Sequence, residues 1–182
     1  MPHGQTLVEL VTPQGITTQT AEKLAAHQPP GRLHRAFSVL LFSENGEMLL
    51  QRRARGKYHS PGVWSNSCCG HPLPEEAPFL AAVRRTVQEL GVAPRILSEA
   101  GTVSYCLTDP DSGLVEKEYN HLFVGFLGAE PHPDPAEVAE TTLVSAPALR
   151  EWRDRKVFSV WFDVVLEAAR PTIRDLVDAA RW

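Results

Sequence analysis

A thiol and an imidazole two residues apart, Cys69 and His71 in Asn66-Ser67-Cys68-Cys69-Gly70-His71-Pro72, are the sharpest chemical signal in the chain. In an extended segment side chains alternate with a period of two, so this pair faces one side. Gly70 between them is expected to let the backbone turn where a Cβ would obstruct it. A thiol beside an imidazole can move protons, but a buried apolar cysteine beside a surface histidine fits the same residues equally well. A second pair, Glu116 and Glu118 in Val115-Glu116-Lys117-Glu118-Tyr119, shares one strand face by the same alternation. Adjacent carboxylates repel, so they need a cation, a shared proton or open water. Glu-Lys-Glu is also an edge-strand pattern, although the apolar run Leu122-Phe123-Val124-Gly125-Phe126 that follows favours burial. His27 ends a helical segment and His34 begins a strand-like one. With His71, Glu116 and Glu118 they would suit a divalent ion such as Mn²⁺ or Zn²⁺ better than Ca²⁺. Spacing alone does not bring the five together.

Other residues carry weaker signals. Arg52-Arg53-Ala54-Arg55-Gly56-Lys57 is a basic cluster in a chain of net charge −4, which excludes a broad basic footprint for nucleic acid. Arg85 and Glu89 are spaced i,i+4, as in a solvated helix ion pair. Tyr105 reads as a strand aromatic, Trp161 as a packing indole, and Cys68 and Cys106 as packing residues. His3, His59, His121 and His132 read as bystanders. Three cysteines, two of them adjacent, form no disulfide framework. No apolar run reaches the ~18 residues of a membrane span, and a cytoplasmic protein is expected.

The elements that must position these groups follow from periodicity and turn residues. Strands are expected over 6–11, 34–42, 48–52, 96–108, 114–127 and 137–144. Asn45-Gly46 predicts a hairpin joining 34–42 to 48–52, and 53–71 reads as a polar loop. A short helix is expected over 20–27, capped by Thr20, with Lys23 and His27 on one face. The clearest helix spans 76–90, with Phe79, Leu80, Val83, Val87 and Leu90 on its buried face and Gly91 after it. Two more helices are expected over 158–169 and 172–180. At 182 residues with 43% hydrophobic content, the chain suits one core and an α+β fold with a mixed sheet.

Taken in order, several segments resemble type 1 isopentenyl diphosphate isomerases. They are Ala21-Glu22-Lys23-Leu24-Ala25-Ala26-His27, Arg32-Leu33-His34-Arg35-Ala36-Phe37-Ser38 and Pro61-Gly62-Val63-Trp64 running on through His71-Pro72. The likeness continues through Arg84-Arg85, Glu89-Leu90-Gly91-Val92, Tyr105, Thr108-Asp109-Pro110, Glu116-Lys117-Glu118 and Phe158-Ser159-Val160-Trp161. It implies a Nudix-like mixed sheet sandwiched by helices. A single isomerase domain is expected over 1–182, its core over about 5–165 and its C-terminal helices over 157–182. Against the Nudix box, Gly70, Glu76, Arg84, Glu89 and Gly91 fit, whereas Arg85 and Gln88 replace paired glutamates and Thr86 a large apolar residue. Losing those acids argues against water attack on phosphorus and for the isomerase branch. A degenerate-box hydrolase and a non-catalytic diphosphate binder are the alternatives.

Residue by residue, the resemblance implies a metal centre of His27, His34, His71, Glu116 and Glu118, holding Mn²⁺, Mg²⁺ or Zn²⁺. Glu89 matches a ligand of a second ion, Mg²⁺, that arrives with the diphosphate. Lys23, Arg53, Lys57 and Arg85 match the diphosphate-binding cations, leaving Arg52 and Arg55 without a role. Cys69 and Glu118 match the proton-handling pair, Tyr105 their hydrogen-bonding relay, and Trp161 the aromatic that faces a cationic intermediate. The implied partner is a small isoprenoid diphosphate, with no nucleic acid or membrane insertion, and a monomer is expected. Ser60 stands where some relatives carry an aromatic, and the turn 109–113 varies by a residue.

Overall fold

The computed structural model describes residues 6–57, 59–178 and 180–182, so His3 lies outside the described residues. Among the described residues nine strands form one mixed sheet: β1 (Leu7–Val11), β2 (Thr17–Glu22), β3 (His34–Phe42), β4 (Met48–Arg53), β5 (Trp64–Ser65), β6 (Cys68–Gly70), β7 (Pro94–Thr108), β8 (Val115–Leu127) and β9 (Val138–Val144). The helices are α1 (Lys23–His27), α2 (Pro78–Leu90), α3 (Ala146–Arg155) and α4 (Phe162–Leu176).

Strand β3 is the hub. It runs parallel to β8 from His34↔Glu118 to Phe42↔Phe126 and antiparallel to β6 from Phe37↔Gly70 to Val39↔Cys68. Its alternate residues divide the core in two. Leu40 and Phe42 join Leu122, Val124, Met48 and Leu50 beneath α4, while Phe37, Val39 and Leu41 join Phe123 and Leu49 beneath α2. The sheet is thus sandwiched between helices, each face buried by the period-two pattern of the same strands.

Several local expectations are corrected by long-range pairing. The Asn45-Gly46 turn forms, with Gly46 at φ 77°, but β3 and β4 pair only at Phe42↔Met48. The strands then splay, because β8 and β6 take the edges of β3 while β9 takes β4. The 53–71 loop contains β5 and β6. The 20–27 helix shortens to α1, capped by the Glu22 side chain rather than Thr20, since Thr20 pairs with Glu9 in the β1–β2 ladder. Gly70 lies inside β6, where a Cβ would press to 3.2 Å from the Phe37 ring, so close packing rather than a turn explains it. At the C-terminus a missed helix, α3, is capped by Ser145, and the two expected helices are one, α4, which runs through Pro171.

Helix α2 turns a different face inward from the one its large residues suggest. Ala81, Ala82, Thr86, Glu89 and Leu90 are buried, whereas Phe79, Leu80 and Val87 are exposed at 39%, 59% and 44%. Small side chains let the helix lie close on the sheet and carry Glu89 into the interior. Gly91 ends it in the left-handed region at φ 66°, where a Cβ would also strike the His132 carbonyl at 2.5 Å.

Candidate active site

The pleat of β3 sets the site. On its α4-facing side His34, Ala36 and Ser38 precede Leu40, with Ser38 opposite Cys69 of β6 and His34 opposite Glu118 of β8. Cys69 and Glu118 therefore rise on the same face from either side of β3, with small Ala36 between the two register positions. Both line a cavity of about 810 Å³. Cys68, one residue earlier, points to the other face and is fully buried beneath α2. Cys106, expected to pack, is exposed, because it alternates with Tyr105 on β7.

Burial pushes the Cys69 thiol up to about 11, partly opposed by Arg53 and reinforced by Glu89 and Glu118. It therefore carries its proton at neutral pH. Burial would raise Glu118 as well, but His34 and His71 outweigh it and hold that carboxyl well below the usual range. The Tyr105 hydroxyl donates to Glu118 Oε2 at 2.5 Å, and Asn120 Nδ2 donates to the Tyr105 oxygen at 2.7 Å and to Ser38 Oγ at 3.1 Å. Burial and then the Glu118 charge raise Tyr105, keeping it a donor.

Behind this wall three imidazoles converge. One ligand atom each from His27, His34, His71 and Glu118 lies within 4.8 Å of the others. His27 Nδ1 lies 2.7 Å from the Lys23 carbonyl and His34 Nδ1 2.7 Å from that of Arg32. A carbonyl only accepts, so each neutral ring carries its proton on Nδ1 and turns an Nε2 lone pair inward. His34 Nε2 is 3.2 Å from His71 Nε2, and His71 Nε2 is 2.9 Å from Glu118 Oε1. Glu116, 1% exposed, approaches His27 Nε2 through Oε2 at 3.3 Å. Burial, opposed by His27 and reinforced by Glu118, raises the Glu116 carboxyl. Inward lone pairs against two buried carboxylates are a donor set that fits a divalent cation. The edge-strand reading of Glu116 and Glu118 is excluded, since β8 lies between β3 and β7.

Lys23, Arg53, Lys57 and Arg85 all line the cavity. Burial, then the charges of Arg53 and Arg85, lower the pKa of Lys23, and burial with the same arginines lowers Lys57. Such mutual repulsion is relieved by an anion. Arg85 Nη2 pairs with Glu89 Oε1 at 2.5 Å and Glu137 Oε2 at 3.3 Å, and Lys57 also pairs with Glu137. The Arg85–Glu89 pair is thus part of the cavity wall rather than a solvated surface pair, with Glu89 Oε2 accepting from Gln51 at 3.1 Å. Arg52, by contrast, does not line the cavity and pairs with Glu140 at 3.0 Å. Glu76 and Arg84 form a two-pronged ion pair, at 2.7 Å on each arm, that braces the loop before α2.

Trp161 is buried and reaches the cavity, its Nε1 donating to Asn66 Oδ1 at 3.3 Å. The Arg53 guanidinium stands 5.5 Å from its ring centroid. The residues matched to proton handling, anion binding and metal binding thus lie around one cavity and the imidazole cluster behind it, whereas Cys68, Cys106 and Arg52 do not line it. Sequence reasoning missed four others. Asn120 continues the Glu116/Glu118 alternation, so period two could have found it. His59 lies against Glu116 at 3.3 Å and Trp161 at 5.9 Å between ring centroids, and so is no bystander. Burial, then Arg53 and Lys23, lower His59 to about 2, leaving a neutral ring. Glu137 leaves no local signal, and Asp109 lies in the matched Thr108-Asp109-Pro110 segment, which assigns it no role of its own.

Comparison with known proteins bears on the family and the fold. The family model of the NUDIX domain matches residues 32–162. The Isopentenyl-diphosphate Delta-isomerase of Streptomyces coelicolor is 64% identical over 177 residues, 97% of this chain and 90% of that protein. The protein of the same name from Nocardia farcinica is 43% identical over 170 residues, covering 92% and 97%. Among solved structures, a Deinococcus radiodurans protein superposes with a TM-score of 0.68 at 17% identity over 90% of this chain and 98% of that one. A MutT protein from Methanosarcina mazei does so with a TM-score of 0.61 at 22% identity, over 77% and 94%. The last two show the fold alone. No helix among the described residues is long and apolar enough to cross a membrane. The chain belongs to the Nudix family, and within it to the isopentenyl-diphosphate Delta-isomerases.

Proposed function

We propose that this chain interconverts isopentenyl and dimethylallyl diphosphate, with Cys69 and Glu118 as its proton-handling pair. The observation that carries this assignment is their placement on one strand face, flanking Ala36 and Ser38 and open to the same cavity. The carbon–carbon double bond is unactivated, so protonating it generates a tertiary cation or something near it. That demands an acid and a base on either side of the alkene and no water to trap the cation. Cys69 holds a proton to give, and Glu118, ionised, has an oxygen to receive one. Tyr105 and Asn120 orient that oxygen. One proton enters the olefin as another leaves, so the proton count of the site is unchanged, and the roles exchange in the reverse direction.

Lys23, Arg53, Lys57 and Arg85 hold the diphosphate, the arginines able to bind two oxygens at once. His27, His34, His71, Glu116 and Glu118 hold one divalent ion, of the Mn²⁺, Mg²⁺ or Zn²⁺ class, and Glu89 meets the Mg²⁺ that accompanies the diphosphate. These ions supply positive charge that neutralises phosphate oxygens and fixes the ligating carboxylates. Trp161 offers its ring face to the developing carbocation. Hydrolysis is disfavoured because Arg85 occupies, and pairs with, the carboxylate region that would otherwise activate water.

Incubation with isopentenyl diphosphate and Mg²⁺ in D₂O is expected to give deuterated dimethylallyl diphosphate by proton NMR. Cys69→Ala and Glu118→Gln should each abolish the exchange with unchanged circular dichroism. Phosphate release without deuterium incorporation would instead establish a hydrolase.

A further inference from the structure

His59 touches three parts of the site, and the chemistry proposed above gives it no part. Its ring is buried, with Nε2 3.3 Å from Glu116 Oε1, while the other oxygen of that carboxylate faces His27 Nε2 at 3.3 Å. A carboxylate oxygen only accepts, so this contact is a hydrogen bond in the tautomer with the proton on Nε2; in the other tautomer the same nitrogen accepts from Arg53 Nη2, 3.5 Å away. The His59 ring also leans on Trp161, with centroids 5.9 Å apart and planes 52° apart. The backbone of the same segment holds a diphosphate-binding arginine, the carbonyls of His59 and Ser60 accepting from Arg53 at 3.3 and 3.1 Å.

The segment is pinned from behind. Ser60 sits at φ 45°, a left-handed conformation that a non-glycine residue keeps only where its surroundings enforce it. Asp109, 2% exposed, supplies that enforcement. Its Oδ2 accepts from the Ser60 amide at 2.9 Å, the Ser60 hydroxyl at 3.2 Å and the Ser112 hydroxyl at 2.8 Å.

We propose that His59 is a positioning residue for the metal centre: its Nε2–H engages one oxygen of Glu116 so that the other is turned to the ion, and the Ser60–Asp109 brace keeps it there. This role rests on the metal centre proposed above. Partners of this kind, one bond removed from the ion, change metal affinity by about 10–100-fold when removed.

The test measures Mn²⁺ binding to the substrate-free protein by the free-ion signal in electron paramagnetic resonance. His59→Phe keeps a ring against Trp161 but has no donor, and is expected to weaken binding about 10–100-fold. His59→Gln, whose amide NH₂ can reach the same oxygen, should recover most of the loss, which a purely packing role would not allow. Asp109→Ala acts from outside the cluster and should weaken binding in the same direction, and it carries the test if His59→Phe fails to fold. If wild type binds Mn²⁺ and both the His59→Phe and Asp109→Ala proteins bind it as tightly, the role of His59 is overturned and the centre stands. If wild type binds none, the centre itself falls.

Discussion

Tyr105 stands opposite Glu118 across the β7–β8 ladder and donates its hydroxyl proton to Glu118 Oε2 at 2.5 Å. The bond is buried, and Asn120 Nδ2 donates to both of its oxygens, to Tyr105 at 2.7 Å and to Glu118 Oε2 at 3.3 Å. Tyr105→Phe leaves the ring and the fold but removes that donor. A hydrogen bond to a charged group is worth about 1.5–3 kcal/mol, so kcat should fall roughly ten- to a hundredfold with little change in KM. Steady-state kinetics with circular dichroism checks this, and an unchanged kcat would remove Tyr105 from the relay.

The Cys69 thiol, raised by burial to about 11, is the form competent to give a proton. A group needed in its acid form works below its pKa and fails above it. No loss of kcat from Cys69 is therefore expected between about pH 7 and 9, the range in which an ordinary thiol ionises. Iodoacetamide should correspondingly modify exposed Cys106 well before Cys69, as read by mass spectrometry of peptides. Rapid alkylation of Cys69 at neutral pH would show a thiolate there.

Trp161 and Cys69 should separate in magnitude. A desolvated cation–π contact contributes around 2 kcal/mol, a factor of roughly thirty in rate. A positioned acid or base contributes about 10²–10⁴-fold. Trp161→Ala is thus expected to be slower than wild type yet clearly faster than Cys69→Ala. The reverse order in the isomerisation assay would assign the indole a larger role than charge stabilisation.

Saturating the imidazole–carboxylate cluster should stabilise the fold. An ion that binds only the folded state, supplied at a hundred times its Kd, adds about 2.7 kcal/mol. For a chain of this size that raises Tm by roughly 5–10 °C. Calorimetry of chelated and Mn²⁺-loaded protein measures the difference, and Glu116→Gln should shrink it.

Outside the cavity lining, Glu9 accepts from Arg35 Nε at 2.8 Å, Thr17 Oγ1 at 2.9 Å and the Glu75 amide at 2.9 Å. Burial would raise its carboxyl, but the Glu75 amide, Arg35 and Thr17 together lower it below 4.5. A lowered folded pKa contributes stability that is complete above the unfolded value and lost as pH falls through the folded one. Glu9→Gln should therefore cost stability at neutral pH, and the gap from wild type should shrink as pH falls below the ordinary carboxylate range and through the lowered folded pKa. Urea titrations across that range decide it.

Local chemistry told a good deal. Period-two alternation placed Cys69 with His71 and Glu116 with Glu118, and both pairs fold onto shared faces. Where it failed, a neighbour distant in sequence was responsible. The Asn45-Gly46 turn implied a hairpin, yet β8, β6 and β9 take the pairing edges. The 3.6-residue period of α2 described a stripe of large side chains, but the sheet takes the Ala81, Ala82 and Thr86 side and leaves Leu80 outside. A helical period marks every face equally, and which one is buried is decided by what packs there.

The sequence by itself determined which residue types exist to move protons, hold an ion and bind an anion, because side-chain chemistry and strand alternation are local properties. Only the tertiary structure decided that three histidines and two glutamates meet, that Glu89 turns inward, and that His59 stands against Glu116. Those contacts join segments separated by tens of residues, and the energy that closes them comes from burying the sheet faces between α2 and α4, which no short window of sequence contains.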